Sequence, residues 1–407
     1  MQLDTLCNVR PRVQYIPEFD PKESTPWYGI KALWYEGAPY RGKRTKVFAY
    51  IGYPDMIPGE KVPAVVLVHG GGGHAFAEWI QKWNQRGYAA IAMDTTGYFP
   101  NSEWRGLVGT EEAPDVPKYT HELYGNLVEE GYTTGPDKID EEIAKDCEGV
   151  LSDHWLYHGV ADIILAHNIL RMDPCINPNQ IGIAGISWGG VLTSLAIGYD
   201  NRYAFAIPTY GSAYLDYLPA PQLPQIFRDP LVKKYWSAAD RLDKVNFPVL
   251  WQCWCCDMCF SIGGNSLSYR ATRKHNAAFS ALLQFGHGHR SAWNAPEVYR
   301  FADGVIRDRL PLIKPITEPE RLGAITFEIA IPEDFADISA SIVYMTEPAE
   351  YDENNKLTKE WKCVKADICN NRVLGTVPED AYCYYVELKG YVGKECYISS
   401  TALVERK

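Results

Sequence analysis

The chain of 407 residues lacks the features that would place it in several broad classes. No unbroken apolar run approaches the roughly 18 residues that a membrane-crossing helix needs, so no membrane span is expected. The first residues, MQLDTLCNVRPRVQY, have no basic start followed by an apolar core, so no secretory leader is expected. No N-x-Ser/Thr sequon, HExxH zinc motif, internal repeat or low-complexity tract occurs. Basic stripes are also missing, and 40 Lys and Arg stand against 51 Asp and Glu, which argues against nucleic acid as a partner. Much of the acidity is local: residues 101–150 hold 13 acidic and 4 basic side chains. Eleven cysteines are irregularly spaced and odd in number, which fits reduced thiols in a cytoplasmic protein better than a disulfide framework.

What is present is an ordinary globular balance, 46% hydrophobic and 22% charged, with length for two or three domains. From about residue 47, short apolar strands alternate with helical patterns. Strands are expected at 47–53, 64–70, 89–95, 181–185, 204–211, 249–254 and 279–285, and helices at 75–86, 154–171, 188–197, 266–276 and from Pro296 to about Leu310. This alternation predicts an α/β domain with a mainly parallel sheet covered on both faces. The acidic stretch 96–150 and the Pro- and aromatic-rich 212–245 read as inserts, the second as a cap or lid. Beyond Pro311 the texture changes to short alternating strands such as ITFEIAI, SASIVYM and CYYVEL, which predicts an all-β sandwich. The expected organisation is an N-terminal extension over 1–45, a catalytic domain over 46–312 and a β-sandwich over 315–407.

The strongest chemical signal is Gly185-Ile186-Ser187-Trp188-Gly189, a G-x-S-x-G between strand IGIAG and a helix. That context puts the Ser187 hydroxyl on a sharp turn at the carboxyl edge of a sheet. A serine needs a base to take its proton, and in such folds the order is Ser, acid, His. Only His275, His287 and His289 follow Ser187. His275 falls in an expected helix, whereas His287 and His289 lie in FGHGHRSAW after an apolar strand. His287 is favoured because it follows the strand more closely, and His289 is its rival. No glutamate and six aspartates lie between Ser187 and His287, and only Asp257 directly follows a strand of buried type, VLWQCW. An acid there would hold the imidazole tautomer. Oxyanion donors are expected from the N–H of Trp188 and from the loop His69-Gly70-Gly71-Gly72-Gly73-His74, with Gly71 the first choice and Gly72 the second. A phosphate cradle is the rival use of that loop, but neither a Walker Lys-Ser/Thr nor G-x-G-x-x-G accompanies it.

Cys253, Cys255, Cys256 and Cys259 invite a metal reading, yet C-x-C-C-x-x-C matches no paired zinc knuckle, and buried packing around the acid is the preferred role. A structural role is likewise preferred for His154, His158 and His167. Neither a metal nor an organic cofactor is expected. Tyr210, Trp251, Trp254 and Trp293 cluster near strand ends, where they would line a substrate pocket or pack the core.

Four segments, HGGGGHAFAEWIQKWNQRGYAAIAMD, WLYHGVADIILAH, IGIAGISWGG and GHGHRSAWNAPEVYRFAD, together resemble α/β-hydrolases of the acetylxylan esterase/dienelactone hydrolase-like and prolyl-oligopeptidase-like group. The resemblance covers most of the chain, and the terminal strands look like the small β-domain some members carry. It implies Ser187 as nucleophile, Asp257 as acid and a histidine of the GHGH loop as base. The chain departs from the group in having CWCCD where NGTND-like residues usually precede the acid. The resemblance implies an esterase releasing small acyl groups from a carbohydrate or other polar alcohol. Two alternatives stand beside it: a serine peptidase for short peptides, and a hydrolase fold retained for binding. With some 45 residues before the core, the propeller that larger peptidases carry is not expected here. The expected partner is a small-molecule ester, with no nucleic acid or membrane, and the sequence is compatible with a homo-oligomer.

Overall fold

A computed structural model describes residues 3–96, 132–133, 150–217, 228–354 and 356–406. The acidic insert lies almost wholly outside the described residues, as does the middle of the 212–245 insert. The chain divides into two compact units: Met1–Ala206 with Asp229–Trp236, and Ile207–Arg228 with Ser237–Lys407.

The first unit is built on a mixed sheet. Its strands are β1 (Val13–Tyr15), β2 (Lys31–Glu36), β3 (Arg44–Gly52), β4 (Val62–Val68), β5 (Ala89–Met93), the two-residue β6 (Tyr132–Thr133) and β7 (Ile176–Ile186). They run in the order β1-β2-β3-β5-β4-β7, with β6 beside β3. Pairing is antiparallel from β1 to β5 and parallel for β5, β4 and β7. The parallel centre reads as a continuous apolar run because both faces are covered: Ala64 to Val68 and Ala89 to Met93 are all buried. The helices are α1 (Ala77–Asn84), α2 (Trp155–Met172), α3 (Trp188–Ala196) and α4 (Pro230–Trp236). In α2, every residue from Trp155 to Leu170 is buried, so it is a core helix rather than an amphipathic surface one.

The N-terminal 45 residues hold two strands, β1 and β2, that no periodicity announced. They are tied down by a buried ionic knot. Arg202 bonds both oxygens of Asp200 and the carbonyl of Cys7, and Asn168 donates to the carbonyls of Leu6 and Val9. Burial by itself would raise the Asp200 carboxyl, but the bonds from Arg202 and His167 outweigh it and hold the group below the ordinary carboxylate range.

The second unit begins within β8 (Ala206–Thr209) and continues with β9 (Leu250–Trp254) and β10 (Ala278–Leu282), three parallel strands. Helices α5 (Ile262–Thr272), α6 (His289–Asn294) and α7 (Pro296–Ile306) follow from the same segment. Helix α5 starts four residues before the expected 266 because the Ser261 hydroxyl caps it, accepting from the Gly264 N–H. It ends at Thr272, so His275 lies in a 3₁₀ turn. Strands β11 (Lys314–Pro315), β12 (Ala324–Ala330), β13 (Ala336–Met345), β14 (Lys362–Cys369), β15 (Arg372–Thr376), β16 (Cys383–Val392), β17 (Glu395–Ser400) and β18 (Val404–Glu405) complete the unit.

These last strands form one antiparallel path, β11-β12-β15-β14-β13-β16-β17, with β18 beside β16, rather than two unconnected sheets. The reason lies in β14. Its first half, Lys362 to Ala366, pairs with β13, and its second half, Asp367 to Cys369, pairs with β15. One strand that changes partner along its length keeps these strands in a single sheet. Alternation in β12 buries Ile325, Phe327 and Ile329 against Ile342, Tyr384 and Val386, as a one-sided strand must. No helix among the described residues is long and apolar enough to cross a membrane.

Candidate active site

Ser187 sits between β7 and α3 with φ 57° and ψ −120°. A non-glycine residue held there costs on the order of 1–3 kcal/mol, which the surroundings must impose. Two glycines make that possible. A Cβ on Gly185 would overlap the Thr193 hydroxyl and the Gly189 carbonyl, and one on Gly189 would overlap the carbonyls of Val68 and His69. Strand β7, helix α3 and the end of β4 therefore meet at backbone distance. Trp188 is the first residue of α3, and first-turn N–H groups have no acceptor within their own helix. The spacing G-x-S-x-G thus encodes a close-packed turn with N–H groups beside the hydroxyl.

The glycine loop after β4 belongs to the same unit. Gly71 and Gly72 are exposed, and Gly72 takes φ +70°. Gly73 N–H closes a turn on the Gly70 carbonyl at 3.0 Å. The loop is held at its base by His69, whose Nε2 accepts the Thr95 N–H at 2.9 Å. Its Nδ1 must then carry the proton, which it donates to the Gly70 carbonyl at 2.8 Å. Thr95 is in turn fixed by the Trp155 indole, which donates to its carbonyl at 2.6 Å, and Trp155 stands edge-on to Trp188 at 5.9 Å. Sequence reasoning assigned no role to His69 beyond membership of the loop, and the Thr95 bond that reveals one links residues 26 apart.

In the second unit, His287 Nδ1 lies 2.6 Å from Oδ2 of Asp257. Asp257 is 1% exposed, and its Oδ1 accepts the N–H groups of Cys259 at 2.8 Å and Phe260 at 3.1 Å. Both carboxylate oxygens are thereby engaged, so the carboxylate has one orientation. The imidazole lies near-parallel to two rings, Tyr210 at 4.5 Å and Phe260 at 5.8 Å. Tyr210, at φ +56°, also donates its hydroxyl to the Gly286 carbonyl at 2.5 Å, one residue before the histidine. His289 opens α6 and packs its ring toward Trp293, 6.2 Å away. Sequence reasoning missed Phe260 and the two N–H donors. The signal was an Asx turn, an aspartate able to bond the backbone two and three residues on.

The other residues considered for a pocket divide. Trp251 is fully buried and donates to the Thr272 hydroxyl at 2.8 Å, which is core packing. Trp293 is 1% exposed, and Trp254 is half-buried with its indole on the Leu283 carbonyl. Tyr210 is the one that reaches the histidine. Among the cysteines near Asp257, burial pushes the thiols of Cys253 and Cys255 well up, and burial, then the Asp257 charge, pushes Cys259 to about 11. A metal would need thiolates. Among the described residues, no group of three or more His, Cys, Asp and Glu is arranged to hold one.

A family model described as the prolyl oligopeptidase family matches residues 141–219. No curated protein matches the chain. Similar solved structures include an acylaminoacyl peptidase of Pyrococcus horikoshii, at 18% identity and TM-score 0.47, over 69% of this chain and 42% of that one. An acetyl xylan esterase from Paenibacillus sp. R4 matches at 16% identity and TM-score 0.48, over 74% of this chain and 92% of that one. Acetyl xylan esterase 1 from Thermoanaerobacterium sp. JW/SL YS485 matches at 15% identity and TM-score 0.45, over 70% and 88%. The chain spans 41–42% of the acylaminoacyl peptidase chains it matches. Residues 141–219, with the Ser187 turn inside them, thus match the prolyl oligopeptidase family.

Proposed function

We propose that the protein is a serine hydrolase that cleaves a carboxylic ester through an acyl-enzyme. Ser187 Oγ attacks the ester carbonyl while His287 Nε2 takes its proton. Asp257, bonded to Nδ1, keeps the imidazole in the tautomer that can do so and stabilises the imidazolium that forms. The N–H of Trp188 and those of Gly71 or Gly72 receive the oxyanion. Collapse breaks the carbon–oxygen bond, and the imidazolium proton leaves with the alcohol. Water, deprotonated by the same histidine, then attacks the acyl-Ser187 carbonyl, and the carboxylic acid departs with the serine restored. The observation that carries the reading is the acid–base pair: of the described histidines after Ser187, it is His287 whose Nδ1 meets a buried, backbone-bonded carboxylate.

Short acyl groups on a carbohydrate or other polar alcohol are the proposed substrates, supported by the resemblance of the glycine loop and GHGH segments. A cytoplasmic location, with the ten described cysteines as free thiols, completes the reading. Cleavage of short peptides is the second reading, favoured by the family that matches 141–219.

Hydrolysis of p-nitrophenyl esters from acetate to octanoate, beside a p-nitroanilide, separates the two. Ester turnover falling with chain length and lost by at least about 10⁴-fold in Ser187→Ala is expected. Turnover that survives Ser187→Ala, or no reaction of Ser187 with a fluorophosphonate, overturns the proposal. A faster anilide than ester replaces it with the peptidase.

A further inference from the structure

The acid-bearing segment after β9 is held from outside by the C-terminal strands. The Tyr351 hydroxyl donates to the backbone carbonyl of Asp257 at 3.0 Å. The Trp361 indole donates to the Cys255 carbonyl at 3.3 Å, and the Cys255 thiol lies 3.1 Å from the Tyr385 hydroxyl. Three side chains, from β16 and from the connection between β13 and β14, thus converge on the three residues Cys255 to Asp257. The connection is itself braced. Tyr351 bridges to Leu357, the Thr358 N–H closes on the Glu350 carbonyl at 2.8 Å, and Lys359 pairs with Glu347 and Glu350. Its Asp352 carboxylate accepts the N–H groups of Asn354 and Lys356. A loop built only for solvent would not need such fixing at its tip.

We propose that Tyr351 is a positioning residue for the reaction: through the Asp257 carbonyl, the C-terminal β-strands set where the triad carboxylate meets His287. The proposal rests on the assignment of Asp257 and His287 as acid and base. Asp257 spends its side-chain oxygens on His287 and on Cys259 and Phe260, and its N–H on the Trp254 carbonyl at 3.1 Å, so its own carbonyl is the remaining polar handle for orienting the main chain that carries it. A displaced carboxylate supports the imidazolium less, which lowers the basicity of His287.

Tyr351→Phe removes one hydroxyl and keeps the ring. Expected is a kcat about tenfold lower with KM unchanged, and an acid limb of the kcat/KM profile moved to lower pH by roughly half a unit. Tyr384→Phe, which removes a hydroxyl bonded to the Arg321 carbonyl instead, is the control for general loosening of the strands, and it leaves the pH profile in place. A second readout needs no turnover: the low-field proton resonance of His287 Nδ1–H, assigned by its loss in His287→Gln, moves or broadens in Tyr351→Phe. An unchanged resonance and an unchanged pH profile overturn the proposal, as does an equal shift in Tyr384→Phe. If Asp257→Asn leaves ester turnover intact while Ser187→Ala abolishes it, the acid assignment has failed instead.

Discussion

The turn that carries Ser187 and the loop that carries His287 reach their geometry by different routes. Between Gly185 and Gly189 everything is local: a strand, two glycines without room for a Cβ, and a helix start lie within five residues. The imidazole of His287 is fixed by residues scattered along the chain, with Asp257 thirty positions upstream, Phe260 and Tyr210 alongside the ring, and Tyr351 behind Asp257. A strained serine turn can be specified by a short motif because its constraint is steric. An oriented imidazole needs hydrogen bonds and ring contacts that only a folded chain supplies.

The comparison breaks first at the histidines. His287→Gln should lower kcat by about 10⁴-fold, while His289→Gln, whose ring packs toward Trp293, should change it by less than about threefold. Steady-state ester hydrolysis decides, and a large loss in His289→Gln alone would move the base to α6.

The second unit also carries a titrating group away from the proposed chemistry. Glu297 is 2% exposed, and burial raises its carboxyl to about 7. One oxygen accepts the Ile398 N–H at 2.9 Å, and the other has no partner among the described residues. A folded-state value above the ordinary one means that stability is fully present below about pH 4.5 and is lost as pH rises to about 7. The loss should be roughly 3 kcal/mol, and Glu297→Gln should flatten it. Urea unfolding across that window measures the slope, and an identical slope in the variant would assign it elsewhere.

The local character of the serine turn is sharpened by two glycine substitutions. Gly189→Ala drives a methyl into the Val68 and His69 carbonyls and should cost about 3 kcal/mol or prevent folding. Gly72→Ala meets nothing within 4 Å and suffers only from its positive φ, so about 1 kcal/mol is expected. Thermal or urea midpoints that rank the two the other way would contradict the packing argument. A small effect is expected of Tyr210→Phe. Losing the bond to the Gly286 carbonyl while keeping the ring beside His287 should lower kcat about fivefold, as read in the same ester assay.

Legibility followed the range of the interactions. The strands of the parallel centre could be read because continuous apolar runs at β4 and β5 are buried on both faces. The alternation of β12 was as plain, being half-buried. The early start of α5 escaped because one serine cap, not periodicity, decides it. β1 and β2 escaped because what holds the N-terminal residues is an ionic knot assembled from Cys7, Asn168, Asp200 and Arg202.

Of this protein, the sequence by itself determined the alternation of strands and helices, the antiparallel texture after Pro311, and the strained serine between two glycines, because each depends on residues within one element or one turn. Only the tertiary structure decided that His287 rather than His289 meets Asp257, that β14 ties the C-terminal strands into one sheet by changing partner, and that Tyr351 reaches the Asp257 carbonyl. Those outcomes turn on angles and distances of a few tenths of an ångström between groups tens of residues apart, and spacing along a chain carries no such information.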